Sequence, residues 1–144
     1  MNNNELRGCG TALVTPFRDG QVDYEAFAAL VDSQVEAGID FLVPLGTTGE
    51  TPCLTDEEKI KVLTLAKERS CGKPVVAGVG TNSLEHTIAN IRLLEPHGVD
   101  VFLVVVPYYN KPPQEGMYRY FKAVAEATSK PVLLYNVPGR TGAN

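Results

Sequence analysis

Three polar segments of the chain hold residue types that together could bind and process a small anion. Gly46-Thr47-Thr48-Gly49-Glu50 is a glycine-flanked turn whose backbone N–H groups and two hydroxyls could hold an anionic group. Pro107–Pro112 contains two adjacent tyrosines, and Tyr135–Gly142 joins a phenol to an arginine, whose planar guanidinium suits a carboxylate. Each segment alone also fits an ordinary alternative: a strand-to-helix turn, an amphipathic tyrosine with a bonded hydroxyl, or a surface arginine.

Each polar segment follows an apolar run that is typical of a buried strand. The runs are continuous rather than alternating in polarity, which indicates parallel strands covered on both faces. Their starts are 26 to 34 residues apart, which leaves room for a helix and two short loops between strands. The predicted strands are Cys9–Thr15, Asp40–Leu45, Pro74–Gly80, Asp100–Pro107 and Pro131–Val137.

The segments between the runs carry signals for four helices. Asp23 is a candidate N-cap, and Thr55-Asp-Glu-Glu58 is a capping box. Ser83 and Pro113 are the expected starts of the other two helices, and glycines at 38, 72 and 98 are expected stops. Each helix shows an apolar stripe that predicts packing against the sheet.

Repeated strand–helix units favour either an open doubly wound sheet or a (β/α)8 barrel. The first predicted strand is followed by Pro16-Phe17-Arg18-Asp19 instead of the glycine-rich dinucleotide fingerprint, which argues against the open sheet. A barrel has eight strands and about 250 residues. We therefore predict an α/β fold in which residues 1–144 are the N-terminal part of one (β/α)8 TIM-barrel domain, supplying five strands and four helices. The functional face would lie at the carboxyl ends of the strands.

Composition narrows the classes of partner. Hydrophobic residues make up 44% of the chain and the net charge is −4, so we expect a folded domain that does not bind nucleic acid. There is no apolar stretch of about 20 residues and no secretory signal in Met1–Gly8, which predicts a cytoplasmic protein without a membrane segment. Three cysteines without a C-x-x-C pair and only two histidines predict neither disulfides nor a metal site.

In this order and at these strand ends, the three polar segments resemble the 4-hydroxy-tetrahydrodipicolinate synthase family. Gly10–Phe17 is also similar to the first strand of that family. The family belongs to the pyruvate-dependent class I aldolases, which include N-acetylneuraminate lyase. The resemblance implies a Schiff-base-forming lyase that needs no cofactor. It would condense pyruvate with L-aspartate 4-semialdehyde in lysine and diaminopimelate biosynthesis.

The resemblance also implies residue roles. Tyr135 would donate and accept the proton at the Schiff base, and Thr47 would link its phenol to Tyr109, which the neighbouring subunit of a homo-oligomer inserts. Thr48 would hold the pyruvate carboxylate and Arg140 the carboxylate of the semialdehyde. A phenol has a pKa near 10, so at neutral pH it transfers protons only when hydrogen-bonded neighbours supply and accept them.

The family's Schiff-base lysine has no counterpart in the chain, because in the family it lies on strand six, beyond Asn144. Only Lys111 is expected at the functional face, in an exposed proline-rich loop. We therefore predict that the 144-residue chain is inactive and that its two unpaired outer strands make it self-associate. The alternatives are another pyruvate aldolase, such as N-acetylneuraminate lyase, and a non-enzymatic half-barrel that acts as an assembly fragment. The other six lysines are expected on helices or just before strands: Lys59, Lys61, Lys67, Lys122, Lys73 and Lys130.

Lysine-regulated members of the family bind lysine in a pocket that has matching positions here. Asn82 and Tyr108 match the family's asparagine and first tyrosine, whereas His86 stands where those members have a glutamate. Loss of that carboxylate removes a partner for the ammonium group of lysine. We therefore predict weak or absent inhibition by lysine.

Overall fold

Strands and helices alternate along residues 6–144, the part of the chain that the computed structural model describes. The prediction that Met1–Gly8 contains no secretory signal falls partly on residues 1–5, which lie outside the described part of the chain. The strands are β1 (Gly10–Ala12), β2 (Phe17–Arg18), β3 (Gln21–Val22), β4 (Phe41–Val43), β5 (Val76–Gly78), β6 (Val101–Val105) and β7 (Val132–Tyr135). The helices are α1 (Tyr24–Glu36), α2 (Asp56–Arg69), α3 (Leu84–Leu94), α4 (Gln114–Glu126) and α5 (Pro138–Thr141).

Five strands form a parallel arc in the order β1-β4-β5-β6-β7. β1 pairs with β4, and β6 pairs with both β5 and β7. A single bridge between Leu42 and Val75 joins the two groups. The five predicted strands are thus confirmed, although each is shorter than predicted. The arc does not close, and within residues 6–144 the strands β1 and β7 are each paired on one side only.

Side-chain caps fix where three of the helices begin. Asp23 accepts a hydrogen bond from the backbone N–H of Ala26 at the start of α1. Thr55 and Glu58 form both bonds of the predicted capping box, at 3.2 and 2.8 Å. Ser83 caps α3. The apolar stripes of α1 to α4 pack with the sheet in a main core, while Met117 of α4 packs in a second small cluster with Val106 and Ala143. The largest fully buried side chains of the main core include Phe27, Leu63, Ile91 and Phe102.

Two short elements of the structure were not predicted from the sequence. Residues 17–22 form an antiparallel hairpin, β2–β3, around Asp19 and Gly20, which both have positive φ (52° and 77°), as a two-residue Asp-Gly hairpin turn requires. The predicted count of four helices was also wrong, because Pro138–Thr141 forms the fifth helix α5. Pro138 presets φ at the first turn and Gly142 ends the helix at φ 71°.

Large apolar side chains lie exposed near both outer strands of the arc. Val14, just after β1, is 49% exposed, and Leu133 and Leu134 of β7 are 41% and 56% exposed. In a sheet covered on both faces such side chains are buried. The exposed apolar surface therefore lies where the arc is left open. No helix among residues 6–144 is long and apolar enough to cross a membrane.

Candidate active site

A cavity of about 540 Å³ lies at the carboxyl ends of β4, β5, β6 and β7. Its lining includes residues that follow each of these strands, so it occupies the face where a barrel carries its functional groups. Four of the predicted site residues line it, together with a threonine that was not predicted: Thr47, Tyr108, Tyr135, Arg140 and Thr81.

The glycine-flanked turn after β4 is tied down on one side and open on the other. Thr47–Gly49 makes one turn of 3₁₀ helix, closed by a 3.0 Å bond from the N–H of Gly49 to the carbonyl of Gly46. The buried hydroxyl of Thr15 donates to the carbonyl of Gly49 at 2.7 Å. A Cβ at Gly49 would lie 3.2 Å from the carbonyl oxygen of Leu13, so glycine allows this close approach. Thr47 is left exposed at the cavity.

Tyr135 and Arg140 reach the cavity from β7 and α5. Tyr135 is the last residue of β7, and Arg140 is the third residue of the single-turn helix α5, which follows the short loop 136–137. The carbonyl of Thr141 accepts a 3.0 Å bond from the N–H of Tyr109. This bond joins the segment of Tyr135 to the loop of the two adjacent tyrosines.

The two adjacent tyrosines of the loop after β6 differ in their exposure to solvent. Tyr108 is half-buried and lines the cavity. Tyr109 is 87% exposed and has a φ of 69°. The N–H of Asn110 donates to the carbonyl of Tyr108 at 2.8 Å, which closes a three-residue turn around Tyr109. The ring of Tyr109 therefore projects away from the single chain.

The predicted proton relay is only partly assembled in one chain. Tyr135 and Thr47 line the same cavity, but Tyr109 does not, and no hydrogen bond joins the three hydroxyls within residues 6–144. Thr48 is exposed beside Thr47 but lies outside the lining. The chain thus brings together Thr47, Tyr135 and Arg140 and leaves Thr48 and Tyr109 at the margin.

The residues of the predicted lysine pocket lie beside the cavity. The side-chain amide of Asn82 donates to Oδ1 of Asn110 at 3.1 Å, and Nδ2 of Asn110 donates back to the carbonyl of Asn82 at 3.4 Å. Asn82 is therefore joined to the loop that carries Tyr108. His86 is exposed in the first turn of α3.

Among residues 6–144, the lining contains two cationic side chains, Lys59 and Arg140, and no carboxylate. Lys59 lies on a helix, as predicted, but the expectation that Lys111 is the only lysine at the functional face was wrong, because Lys59 lines the cavity and Lys111 does not. α2 begins soon after the glycine-flanked turn, so its first turn lies at the cavity. Nζ of Lys59 is 3.0 Å from Oδ1 of Asp56, which keeps it in an ion pair. The charges of the cavity favour an anionic ligand.

Comparison with known proteins identifies the family. The sequence profile of the Dihydrodipicolinate synthetase family matches residues 5–144. The chain belongs to this family. The 4-hydroxy-tetrahydrodipicolinate synthase of Koribacter versatilis is 55% identical over 143 residues, which cover 97% of this chain and 48% of that relative.

Solved structures of family members have the same fold. A dihydrodipicolinate synthase from Thermotoga maritima superposes with a TM-score of 0.94 at 46% identity, covering 97% of this chain and 48% of that one. The enzyme from Acinetobacter baumannii, solved in complex with pyruvate, has a TM-score of 0.91 at 42% identity over 95% of this chain and 48% of its own. The chain thus spans about half the length of the relatives that it matches, and its arc of strands superposes on part of the TIM barrel of those relatives.

Proposed function

We propose that residues 1–144 are the N-terminal part of the single (β/α)8 barrel of a cytoplasmic 4-hydroxy-tetrahydrodipicolinate synthase. This lyase condenses pyruvate with L-aspartate 4-semialdehyde in lysine and diaminopimelate biosynthesis. The observation that carries the proposal is the cavity at the strand ends, where Thr47, Tyr135 and Arg140 meet in a chain of this family. Pyruvate bound to the relative from Acinetobacter baumannii supports the assignment of the first substrate.

In this mechanism, a lysine amine attacks the pyruvate ketone and expels water to form a Schiff base, which loses a proton to become an enamine. The enamine carbon then attacks the aldehyde of the second substrate, which forms the new C–C bond. The amino group of the adduct attacks the imine carbon, and this ring closure breaks the C–N bond to the lysine and regenerates its free amine. Tyr135 moves protons at the Schiff base, with Thr47 connecting its phenol to Tyr109. A chain of hydroxyls performs this transfer without a carboxylate that would repel anionic substrates.

Two residues bind the substrate carboxylates. Thr48 and the backbone N–H groups of its turn hold the carboxylate of pyruvate, as glycine-flanked turns hold anions. Arg140 holds the carboxylate of the semialdehyde, because its guanidinium can make two parallel hydrogen bonds to one carboxylate. Lys59 also lines the cavity that receives both anions, and its charge is shared with Asp56.

Neither lysine near the site is suited to form the Schiff base. Nζ of Lys59 is engaged by the carboxylate of Asp56 at 3.0 Å and is not free to approach a ligand in the cavity. Lys111 is exposed, and its side chain lies against Gly142 of the loop after α5. The amine must therefore come from outside these 144 residues, and we propose that the chain alone has no condensation activity.

A homo-oligomer would place Tyr109 at a second active site. The tyrosine is 87% exposed on a turn that is fixed to α5, so its ring is available to a neighbouring subunit. Insertion of the ring there would complete the Tyr135–Thr47–Tyr109 relay, which one chain leaves open.

The pocket of Asn82, His86 and Tyr108 would give weak or absent inhibition by lysine. The imidazole of His86 cannot replace a carboxylate as partner of an ammonium group. Titration of the active enzyme with lysine measures this, and strong inhibition at low lysine concentration would overturn it.

The experiment requires a protein that continues beyond Asn144. It is either the product of the gene that encodes this chain, where that gene continues, or a fusion of this chain to the second half of the Koribacter versatilis relative. We call either product the completed enzyme. Incubation with pyruvate and borohydride should reduce the Schiff base to a stable adduct on one lysine. Condensation of pyruvate with aspartate semialdehyde should follow in the same preparation. Cleavage of sialic acid instead would favour the N-acetylneuraminate lyase alternative.

A further inference from the structure

A buried tyrosine outside the active site connects three elements of the fold. Tyr120 lies in the middle of α4 and is 7% exposed. Its hydroxyl donates to the carbonyl of Thr81, in the loop between β5 and α3, at 2.7 Å. It also lies 2.9 Å from Oγ1 of Thr87, a fully buried residue of α3.

The hydrogen bonds of this cluster run in one direction. The single hydrogen of the Tyr120 phenol goes to the carbonyl of Thr81, so the hydroxyl of Thr87 donates to the phenol oxygen. Oγ1 of Thr87 accepts in turn from the N–H of Thr81 at 2.9 Å. Burial raises the pKa of Tyr120 above its ordinary value, so the phenol keeps its hydrogen at neutral pH. Both backbone groups of Thr81 are therefore held by buried side chains.

The cluster continues to the tyrosine loop. Asn82, the next residue after Thr81, exchanges two hydrogen bonds with Asn110. We call Tyr120, Thr87, Thr81, Asn82 and Asn110 the Tyr120 network. It links the core of the helix layer to the residue that follows Tyr109.

The turn that receives this support is strained. Tyr109 has a φ of 69°, in the left-handed region that side chains other than glycine avoid. Such a conformation persists only where surrounding contacts hold it. Two contacts stabilise the turn: the hydrogen bond from the N–H of Tyr109 to the carbonyl of Thr141, and the side-chain hydrogen bond between Asn82 and Asn110.

We propose that Tyr120 is a positioning residue that holds the strained turn at Tyr109 through the Tyr120 network. The conformational part of this proposal concerns this chain alone. The kinetic part of the proposal rests on the proposed function, in which Tyr109 completes the proton relay of a neighbouring subunit. Within residues 6–144, Tyr120 does not line the cavity and its hydroxyl bonds only to Thr81 and Thr87, so it acts by fixing the loop between β5 and α3, to which the tyrosine loop is anchored.

The central test compares Tyr120→Phe with Tyr118→Phe in the completed enzyme. Both changes remove one phenol oxygen from α4, but Tyr118 is 62% exposed and makes no hydrogen bond through its hydroxyl within residues 6–144. We expect Tyr120→Phe to speed amide hydrogen exchange of the 106–112 segment about tenfold, the effect of losing one or two hydrogen bonds. We expect Tyr118→Phe to leave it unchanged. Exchange that accelerates equally across the whole chain, or not at all in that segment, overturns the proposal.

Kinetics give a second measurement. Tyr120→Phe should lower kcat about five- to tenfold and leave KM for pyruvate within about twofold, because the relay is displaced while the pyruvate turn is not. Thr87→Val should act like Tyr120→Phe, whereas Thr87→Ser keeps the hydroxyl and should retain the parent kcat. A raised KM with unchanged kcat contradicts the positioning role.

A double-mutant cycle tests the path. If Tyr120 acts through Asn82, the loss of kcat in Tyr120→Phe combined with Asn82→Ala should be clearly smaller than the product of the two single losses. Independent, multiplying losses overturn the path. If the completed enzyme proves inactive, the proposed function fails, while hydrogen exchange still decides whether Tyr120 holds the turn.

Discussion

The hydroxyl of Thr15 donates a 2.7 Å hydrogen bond to the carbonyl oxygen of Gly49, and this buried bond ties the glycine-flanked turn to the end of the first strand. Thr47 and Thr48 precede Gly49 in that turn. The hydroxyl of Thr15, which lies outside the cavity, thus helps to position both threonines: Thr48, proposed to bind pyruvate, and Thr47, proposed to take part in the proton relay.

Replacing Thr15 by valine should weaken both stability and substrate binding. Thr15→Val keeps the shape of the side chain but leaves the buried carbonyl of Gly49 without its donor, which costs about 1–3 kcal/mol. We expect a matching fall in the free energy of unfolding in urea and a raised KM for pyruvate in the completed enzyme. Thr15→Ser retains the hydroxyl and serves as control. Equal stability and equal KM in the two variants would contradict this role.

The two candidate groups at β7 and α5 should affect different kinetic constants. Tyr135→Phe should lower kcat of the completed enzyme about 10²–10⁴-fold, the usual effect of removing a positioned acid–base group. Arg140→Ala should raise KM for the semialdehyde more than KM for pyruvate. Arg119→Ala is the control, since Arg119 forms an exposed ion pair with Glu115 on α4. Steady-state kinetics with each substrate varied in turn will show whether these assignments hold; parent-like constants in both site variants would refute them.

The stability of the chain should fall at alkaline pH, partly through Tyr120. Burial is the largest cause of the raised pKa of Tyr120, so the folded state disfavours its phenolate. A pKa that is higher in the folded than in the unfolded state contributes stability that is fully present below about pH 10, the ordinary pKa of tyrosine. That contribution is lost as pH rises through the folded-state pKa.

Urea unfolding measured from pH 8 to pH 11 checks this. Tyr120→Phe should flatten the alkaline decline, and Tyr118→Phe should not. A decline remains in both variants, because burial and the nearby Glu58 and Glu57 also raise the pKa of Tyr24. An identical pH profile for Tyr120→Phe and the parent chain would show that Tyr120 does not contribute.

The open arc should make the 144-residue chain self-associate. β1 and β7 each pair on one side only within the described residues, and the apolar side chains of Leu133 and Leu134 are exposed at β7. Unpaired strand edges and exposed apolar patches favour association. Sedimentation at micromolar concentration should show a dimer or larger species, and Leu134→Lys should shift it toward monomer. A stable monomer of the parent chain would contradict the prediction.

Local signals predicted most of the fold. The continuous apolar runs gave the five parallel strands, and the capping box at Thr55 located the start of α2, because both depend on neighbouring residues alone. The hairpin was missed because its strands are two residues long and show no periodicity. α5 was missed because its proline and glycine are also the residues of a loop.

The features of the site that could not be predicted from the sequence depend on tertiary contacts. The positive φ of Tyr109 runs against its intrinsic preference and depends on bonds to distant residues, including Thr141. Lys59 reaches the cavity because of the direction in which α2 leaves its turn. The residues that carry the family resemblance were visible in the sequence, whereas Thr15 and Tyr120, which support them, act through contacts 34 and 39 residues away along the chain.

The most direct test of the account is borohydride trapping with pyruvate, followed by mapping of the labelled lysine in the completed enzyme. Because no suitable amine lies beside Tyr135 and Thr47 among residues 6–144, we expect one reduced pyruvate adduct on a lysine beyond Asn144 and no adduct on the 144-residue chain alone. Labelling of Lys59 or Lys111, or an active completed enzyme that forms no adduct, would contradict the proposed function.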